Sequence, residues 1–177
     1  MKISFGEYCI RSYEYSDIHA LIKYANNFNV SKLLRDQFPF PYTTSDAENW
    51  LLHAGNQITE TNFAIANGKE FIGAIGINIK EDVYKFSAEI GYWLAEPFWR
   101  QGIMTNALKI FTDYSFKNFN INRIFANVFE SNLGSEKVLL KAGYQKEAIL
   151  RKAVFKGETF LDEYIYAILK ENFKVMK

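Results

Sequence analysis

Apolar and polar residues along this chain switch between a period near 3.6 and a period of two, and the switches mark its elements. A short strand is predicted at 9–12, opening the fold. Ser16 and Asp17 then offer N-caps for a helix whose Ile18, Leu21, Ile22 and Ala25 share one face. A second short helix is predicted at 30–35. Residues 38–42, Phe-Pro-Phe-Pro-Tyr, read as extended, because each proline pushes its predecessor out of the helical region. Ser45 with Glu48 has the spacing of a capping box for the next helix, with Ala47, Leu51, Ala54 and Ile58 as its buried face.

The pattern then turns to strands. Runs at 62–66 and 70–79 flank Asn67-Gly68, a strong hairpin signal. A third run at 85–95 follows Lys80-Glu81-Asp82. In it Phe86, Ala88, Ile90, Tyr92 and Leu94 alternate with Ser87, Glu89, Gly91 and Trp93. A loop at 96–101 leads to a helix at 102–118 with Ile103, Ala107, Ile110, Phe111 and Tyr114 on its apolar face. A strand at 123–129 and a helix at 133–142 follow, with Gly143 placed for a left-handed C-cap. A last hairpin, 144–155 with 158–169, turns at Lys156-Gly157. Helices, antiparallel strands and then β-α-β-α-β-β make an α/β domain on a mixed sheet.

Composition narrows the function. The chain has 177 residues, which fits one domain, and 49% apolar against 23% charged residues argues for a packed core. Net charge is +1, without the basic excess of a nucleic-acid binder. One cysteine, Cys9, and two histidines, His19 and His53, argue against a disulfide framework and against a metal site. No apolar run at 1–10 reads as a signal peptide, and none approaches the ~20 residues of a membrane span. The expected compartment is the cytoplasm. Aromatic residues are 17%, read as a bulky core that leaves room for an apolar homodimer interface.

Standard motifs are missing: no Gly-x-Gly-x-x-Gly after a strand, no Walker sequence, no His-Glu-x-x-His, no Gly-x-Ser-x-Gly. One junction remains. Residues 89–105, Glu-Ile-Gly-Tyr-Trp-Leu-Ala-Glu-Pro-Phe-Trp-Arg-Gln-Gly-Ile-Met-Thr, run from a strand through a one-glycine loop into a helix. Helix-start amides at the positive dipole end suit a phosphate, and Gly102 lets the backbone approach a pyrophosphate. A glycine at such a turn is also simply a turn residue.

A second segment joins it: Asn-Arg-Ile-Phe-Ala-Asn-Val at 122–128, then Asn132 to Tyr144. Together the two resemble the GNAT superfamily of N-acetyltransferases. The likeness is to its RimJ/RimL branch of ribosomal-protein N-terminal acetyltransferases, and it covers nearly the whole chain. Ile10-Arg11, Pro-Tyr-Thr at 41–43 and Glu-Ile-Gly-Tyr-Trp-Leu at 89–94 also fit that branch. The resemblance implies a splayed, mostly antiparallel mixed sheet flanked by helices, with acetyl-CoA in the V between the strands at 85–95 and 123–129. The pyrophosphate would sit on the amides of Arg100, Gln101, Gly102, Ile103, Met104 and Thr105. The pantetheine arm would pair with Trp93, Leu94 and Ala95, and Asn132 would contact it from the other side.

The family loop usually reads Arg/Gln-x-x-Gly-x-Gly/Ala. Trp99 and Met104 take its first and last positions here, and Met104 adds bulk beside the phosphates. Leu139 stands where many relatives place a tyrosine acid, and Val154 where RimL-like enzymes place a glutamate base. Ser135 matches the RimL-like serine and is the candidate acid, or else a helix-start residue bonded to backbone. Glu89 is the candidate base, directly or through a water, or else a strand-edge carboxylate. Asn132 is also an N-cap residue, a role compatible with cofactor contact. Lys137 and Lys141 could meet a CoA phosphate or simply be solvated; Cys9 reads as a small buried residue.

The predicted activity is acetyl transfer from acetyl-CoA to a primary amine by direct attack in a ternary complex, with a peptide N-terminus as acceptor. The alternatives are a small amine such as a polyamine or antibiotic, or an acyl-CoA-binding module without catalysis.

Overall fold

The computed structural model describes residues 1–173. Eight strands form one open, mostly antiparallel sheet in the order β1-β2-β3-β4-β5-β6-β8-β7, flanked by helices. In chain order the elements are β1 (Lys2–Phe5), β2 (Tyr8–Arg11), α1 (Ile18–Ala25), α2 (Phe28–Ser31), α3 (Thr44–Gly55), β3 (Asn62–Asn67) and β4 (Phe71–Ile79). After them come β5 (Ser87–Leu94), α4 (Ile103–Asn118), β6 (Arg123–Phe129), α5 (Leu133–Lys141), β7 (Gln145–Lys156) and β8 (Thr159–Leu169). The α/β class, the mixed sheet and the order of elements agree with the sequence pattern.

The chain forms two compact units. The first comprises Met1–Gly76 and Tyr92–Ala107; the second comprises Ile77–Gly91 and the chain from Leu108.

In the first unit the fold opens one strand earlier than predicted. β1 pairs with β2, from Lys2 with Arg11 to Phe5 with Tyr8, around Gly6 at φ +61°. Four alternating residues are a weak strand signal, and only pairing makes them one. Asp17 does not cap α1. Its carboxylate takes a bidentate bond from Arg11, at 2.6 and 2.8 Å, and a third from the Glu14 amide. That engagement leaves no oxygen aimed at the helix start. The predicted second helix shrinks to the single turn of α2, begun by Asn27, whose side chain accepts from the Asn29 amide.

The capping box of α3 also moves. Thr43 accepts from the Asp46 amide, and Asp46 accepts from the Thr43 amide and hydroxyl. Those bonds hold the Asp46 carboxyl below the usual range. Thr43 is extended, at φ −97° and ψ 170°, so the chain turns helical right after the proline-rich stretch and before Ser45 can act. α3 ends at Gly55, which leaves Ile58 fully exposed instead of on its buried face. Cys9 is half-buried.

The core of this unit joins Ile18, Leu21 and Ala25 of α1, Ala47 of α3, and Ala64, Phe71 and Ala74 of the sheet, with Tyr42. Tyr13, Phe38, Trp50 and Trp93 pack against it as a ring network. Trp93 meets Phe38 and Phe71 at 5.4 and 5.6 Å between centroids. Much of the unit's aromatic content is thus core, while Tyr15, Phe28 and Phe40 are exposed. Burial pushes the Tyr42 phenol up to about 12.

In the second unit β5 and β6 are the parallel pair. Ser87, Ala88 and Glu89 stand opposite Arg123, Ile124 and Phe125, the first three residues of each strand. β6 then runs antiparallel to β8 over its whole length. α5 ends as predicted at Gly143, φ +95°, where the Tyr144 amide turns back to the Leu139 carbonyl at 3.0 Å. Leu108, Phe111, Ile124, Leu139, Tyr144 and Tyr166 are wholly or almost wholly buried. The Tyr144 hydroxyl is satisfied within that interior by Thr112 Oγ1 at 2.8 Å.

Candidate active site

The strand-loop-helix junction lies in the first unit, and its backbone is anchored before it turns. The Ala95 amide donates to the Ile72 carbonyl at 2.8 Å, joining the end of β5 to β4. Gly73 is obligatory at that approach: a Cβ there would lie 2.4 Å from the Trp93 carbonyl oxygen.

A short 3-10 turn, Glu96–Phe98, follows with Pro97 at its start. Five side-chain contacts fasten it. The Glu96 carboxylate accepts from Asn27 Nδ2 at 2.7 Å and Asn29 Nδ2 at 3.0 Å, and these bonds hold its pKa below the usual glutamate value. Phe98 meets Tyr24 edge-on at 5.8 Å. The Trp99 indole Nε1–H donates to the Leu94 carbonyl at 2.6 Å. Gln101 Nε2 donates to the Pro97 carbonyl at 3.0 Å.

Arg100 at φ +62° and Gly102 at φ +78° are both left-handed. Such residues gather successive N–H groups into an anion-binding concavity. The helix ladder begins with the Asn106 amide bonded to the Gly102 carbonyl at 3.1 Å. The amides of Ile103, Met104 and Thr105 therefore precede the ladder, at the positive end of α4. Ile103 and Met104 turn their side chains inward, at 3% and 6% exposure, so the bulk expected of Met104 is packed away from solvent. Arg100, Gln101 and Gly102 are exposed. This junction can hold an anion on backbone groups while its side chains brace the turn.

Trp93, Leu94 and Ala95 lead into it. Leu94 and Ala95 are buried. Trp93 is half-buried and braced by the aromatic network.

The remaining candidates lie in the second unit. Glu89 sits on β5 beside Phe125 of β6, with its Oε2 2.7 Å from Lys80 Nζ. Lys80 Nζ lies 5.6 Å above the Phe125 ring, so the ion pair occupies the Phe125 face of the strands. Asn132 is the N-cap of α5, with Oδ1 accepting from the Ser135 amide at 3.0 Å. Both sequence readings of Asn132 stay compatible, because the cap uses Oδ1 and leaves the Nδ2 donors to other work. Ser135 is half-buried in the first turn of α5. Leu139 is fully buried in the same helix, and Lys137 and Lys141 are exposed. His19 and His53 are exposed on α1 and α3.

Sequence reasoning missed three features. The Trp99 bond needs the loop geometry before it can be seen. The Asn27 and Asn29 bonds to Glu96 span 69 and 67 residues. Asn127, in the middle of β6, has a buried Oδ1 with no hydrogen-bond donor among the described residues. Its signal was available: asparagine is depleted in strands, and this one interrupts an apolar run.

No helix among the described residues is long and apolar enough to cross a membrane. Comparisons with known proteins point one way. The family described as acetyltransferase (GNAT) domain matches residues 8–145. The uncharacterized N-acetyltransferase YnaD of Bacillus subtilis (strain 168) is 28% identical over 97% of this chain and 99% of its own. The ribosomal-protein-serine acetyltransferase of Escherichia coli (strain K12) is 33% identical over 59% of this chain and 58% of its own.

Among solved structures, a GNAT-family acetyltransferase from Bacillus anthracis superposes with a TM-score of 0.82 at 26% identity, covering 97% of this chain and 99% of that one. RimL, a ribosomal L7/L12 alpha-N-protein acetyltransferase in complex with coenzyme A, gives 0.84 at 20% identity, with 96% and 98% covered. A spermidine N-acetyltransferase from Vibrio cholerae, in complex with CoA and spermine, gives 0.79 at 20% identity, with 94% and 98% covered.

Proposed function

The chain belongs to the GNAT acetyltransferase family and is an N-acetyltransferase, and from that premise we propose that it moves the acetyl group of acetyl-CoA to the N-terminal amine of a peptide or protein. The observation that carries the cofactor half is the start of α4. The amides of Ile103, Met104 and Thr105 precede the helix ladder, behind a turn with two left-handed residues. That arrangement suits the CoA pyrophosphate. By family resemblance Arg100, Gln101 and Gly102 complete the cradle, Trp93, Leu94 and Ala95 take the pantetheine arm, and Asn132 contacts it through Nδ2. No metal enters the reading.

The chemistry asks little of side chains. The neutral amine attacks the thioester carbonyl carbon, the C–N bond forms, and the C–S bond breaks. The amine proton leaves to Glu89 or to water, and the CoA thiolate takes a proton from Ser135, which regains one from solvent. The Trp93 or Leu94 amide polarises the carbonyl. An α-amine with a pKa near 8 is ~10% neutral at pH 7, whereas a lysine amine is ~0.04% neutral. Glu89, already paired with Lys80 at 2.7 Å, is poorly placed to strip a lysine ammonium. It suffices for an α-amine that needs little help, which favours an N-terminal acceptor. The likeness to ribosomal-protein acetyltransferases supports the same choice.

A small polyamine is the second reading, favoured by the likeness to the spermidine enzyme. In both readings residues 1–177 act as one catalytic domain, in the cytoplasm, where a homodimer is compatible with the chemistry. Free-thiol release from acetyl-CoA decides between them, using Ser- and Ala-initiated hexapeptides, an N-blocked lysine peptide and spermidine. Release with the free N-termini alone is the expected result. Release with spermidine alone establishes the second reading. CoA binding without any release refutes both.

A further inference from the structure

We propose that Asn27 and Asn29, acting through Glu96, are positioning residues for the cofactor: they hold the turn after β5 in the shape that receives the CoA phosphates. The proposal rests on the cofactor half of the reading above and adds to it residues from outside the junction. The bonds form one closed set within the first unit. Asn27 Nδ2 donates to Glu96 Oε2 at 2.7 Å and Asn29 Nδ2 donates to Glu96 Oε1 at 3.0 Å, so both carboxylate oxygens are engaged. The other end of each amide is used as well. Asn27 Oδ1 accepts from the Asn29 backbone amide at 2.8 Å, and Asn29 Oδ1 accepts from Lys32 Nζ at 2.8 Å. A carboxylate only accepts, while an ammonium and a backbone N–H only donate. Neither asparagine can therefore be turned end for end without losing both of its bonds.

The turn needs such holding. Arg100, at φ +62°, is a left-handed residue that carries a side chain, two positions before the left-handed Gly102. A strained state of this kind persists where its surroundings fix it. The Trp99 and Gln101 bonds end inside the junction, on Leu94 and Pro97. The two Glu96 bonds and the Phe98–Tyr24 ring contact leave the junction, and all of them end between residues 24 and 29. That segment is itself set in place: Asn27 caps α2, and Val30 and Ser31 of the same helix are buried. Glu96 is thus the tether between an anchored helix and a strained turn. It is also a negative charge on the turn proposed to hold an anion. The asparagine donors, with Lys32 behind Asn29, offset that charge. A tether and a repulsive charge give opposite signs when the carboxylate is removed. Loss of the tether weakens CoA binding, and loss of the charge tightens it.

Asn27→Asp cuts the tether and keeps the cap, since the new carboxylate still accepts from the Asn29 amide but faces Glu96 without a donor. In full-length protein, titration calorimetry with CoA is expected to give a Kd raised about 3- to 10-fold. That is less than a fully buried charged hydrogen bond gives, because Glu96 is half-buried. Glu96→Gln alone is expected to raise the Kd by less, about 2- to 3-fold, since one of the two bonds survives. Asn27→Asp combined with Glu96→Gln reverses donor and acceptor: the amide at 96 donates to the carboxylate at 27 and still accepts from Asn29. This double variant is expected to return to within about twofold of the wild-type Kd, a recovery that two independent losses cannot produce. A wild-type Kd in Asn27→Asp, an unchanged or tighter Kd in Glu96→Gln, or a double variant as weak as its two parents added together overturns the proposal and leaves the cofactor reading standing. If Asn27→Asp does not fold, the sign of the change in Glu96→Gln decides: a rise supports the tether, and anything else overturns it. A wild type that does not bind CoA overturns the cofactor reading and this proposal with it.

Discussion

Trp99→Phe isolates one side-chain hydrogen bond that ties the turn after β5, the proposed phosphate cradle, back to its strand. The indole Nε1 lies 2.6 Å from the Leu94 carbonyl oxygen, and the turn between them includes the 3-10 residues Glu96–Phe98. Phenylalanine keeps an aromatic ring in that place and deletes the donor. A hydrogen bond of this kind contributes about 0.5–1.5 kcal/mol net. It does not join the core elements to each other, so its loss falls on the population of the closed turn. A ligand that binds only the closed turn sees its apparent Kd rise by the same factor that the closed population falls. At 1.4 kcal/mol per factor of ten the closed-to-open ratio falls about 2- to 12-fold, which bounds the rise in the CoA Kd from above. Titration calorimetry with CoA measures it directly. Turnover at saturating acetyl-CoA should stay within twofold of wild type, because bound acetyl-CoA holds the turn closed once the site is filled. A CoA Kd equal to that of wild type would show that the turn holds its shape without Trp99. A loss of turnover with unchanged Kd would place Trp99 at the chemistry instead.

Gly102→Glu should leave a folded protein, since a Cβ there meets nothing within 4 Å and the strain at φ +78° costs about 1–2 kcal/mol, but CoA affinity should fall more than tenfold in calorimetry as the carboxylate faces the amides of 103–105. Glu96→Gln removes a carboxylate whose folded pKa is depressed by Asn27 and Asn29; its stabilisation is complete above the ordinary value near 4.3 and is lost as pH falls through the lower folded value. The melting-temperature gap between wild type and this variant should therefore narrow from pH 6 to pH 3, and a constant gap refutes the account. Asn132→Asp keeps an N-cap acceptor for the Ser135 amide and removes the Nδ2 donors, so melting temperature should hold while CoA Kd rises several-fold; equal losses in both would mean that Asn132 is a cap alone.

What was legible in the sequence followed period and capping chemistry. β3, β4, β5, α4, β6 and α5 lie within a few residues of where alternation and helical spacing put them, because each has enough periodic positions to outvote its ends. The errors fall where a local signal had a rival of equal strength. Thr43 and Ser45 both begin a capping box on paper, with Asp46 and Glu48 three residues on, and only the extended backbone at Thr43 decides. Asp17 is as good a cap as any aspartate until Arg11, six residues earlier on β2, claims both of its oxygens. Ile58 completes a helical stripe that Gly55 has already ended. Pairing across the sheet makes β1 a strand, and pairing lies outside the reach of a four-residue window.

The candidate site divides along the same line, for a chemical reason. A pyrophosphate is held by backbone amides at a helix start, and what the sequence must supply there is a glycine, a turn and the beginning of a helical period. Those are local, so the junction from Trp93 to Thr105 could be placed without coordinates. The side chains that fix the junction are remote. Asn27, the N-cap of α2, and Asn29 within that helix reach Glu96, and no spacing rule relates residues 67 and 69 apart. Single buried polar atoms are read differently, since their meaning depends on whether a neighbour already satisfies them. Asn127 on β6 is recorded in the sequence only as a polar residue in an apolar run. It becomes informative once β8 is seen to offer Ile165 beside it, and the oxygen is buried without a donor among the described residues. A backbone cradle of the kind proposed for the cofactor is therefore readable from one chain. A site built from single side-chain atoms becomes readable only when every other partner has been accounted for.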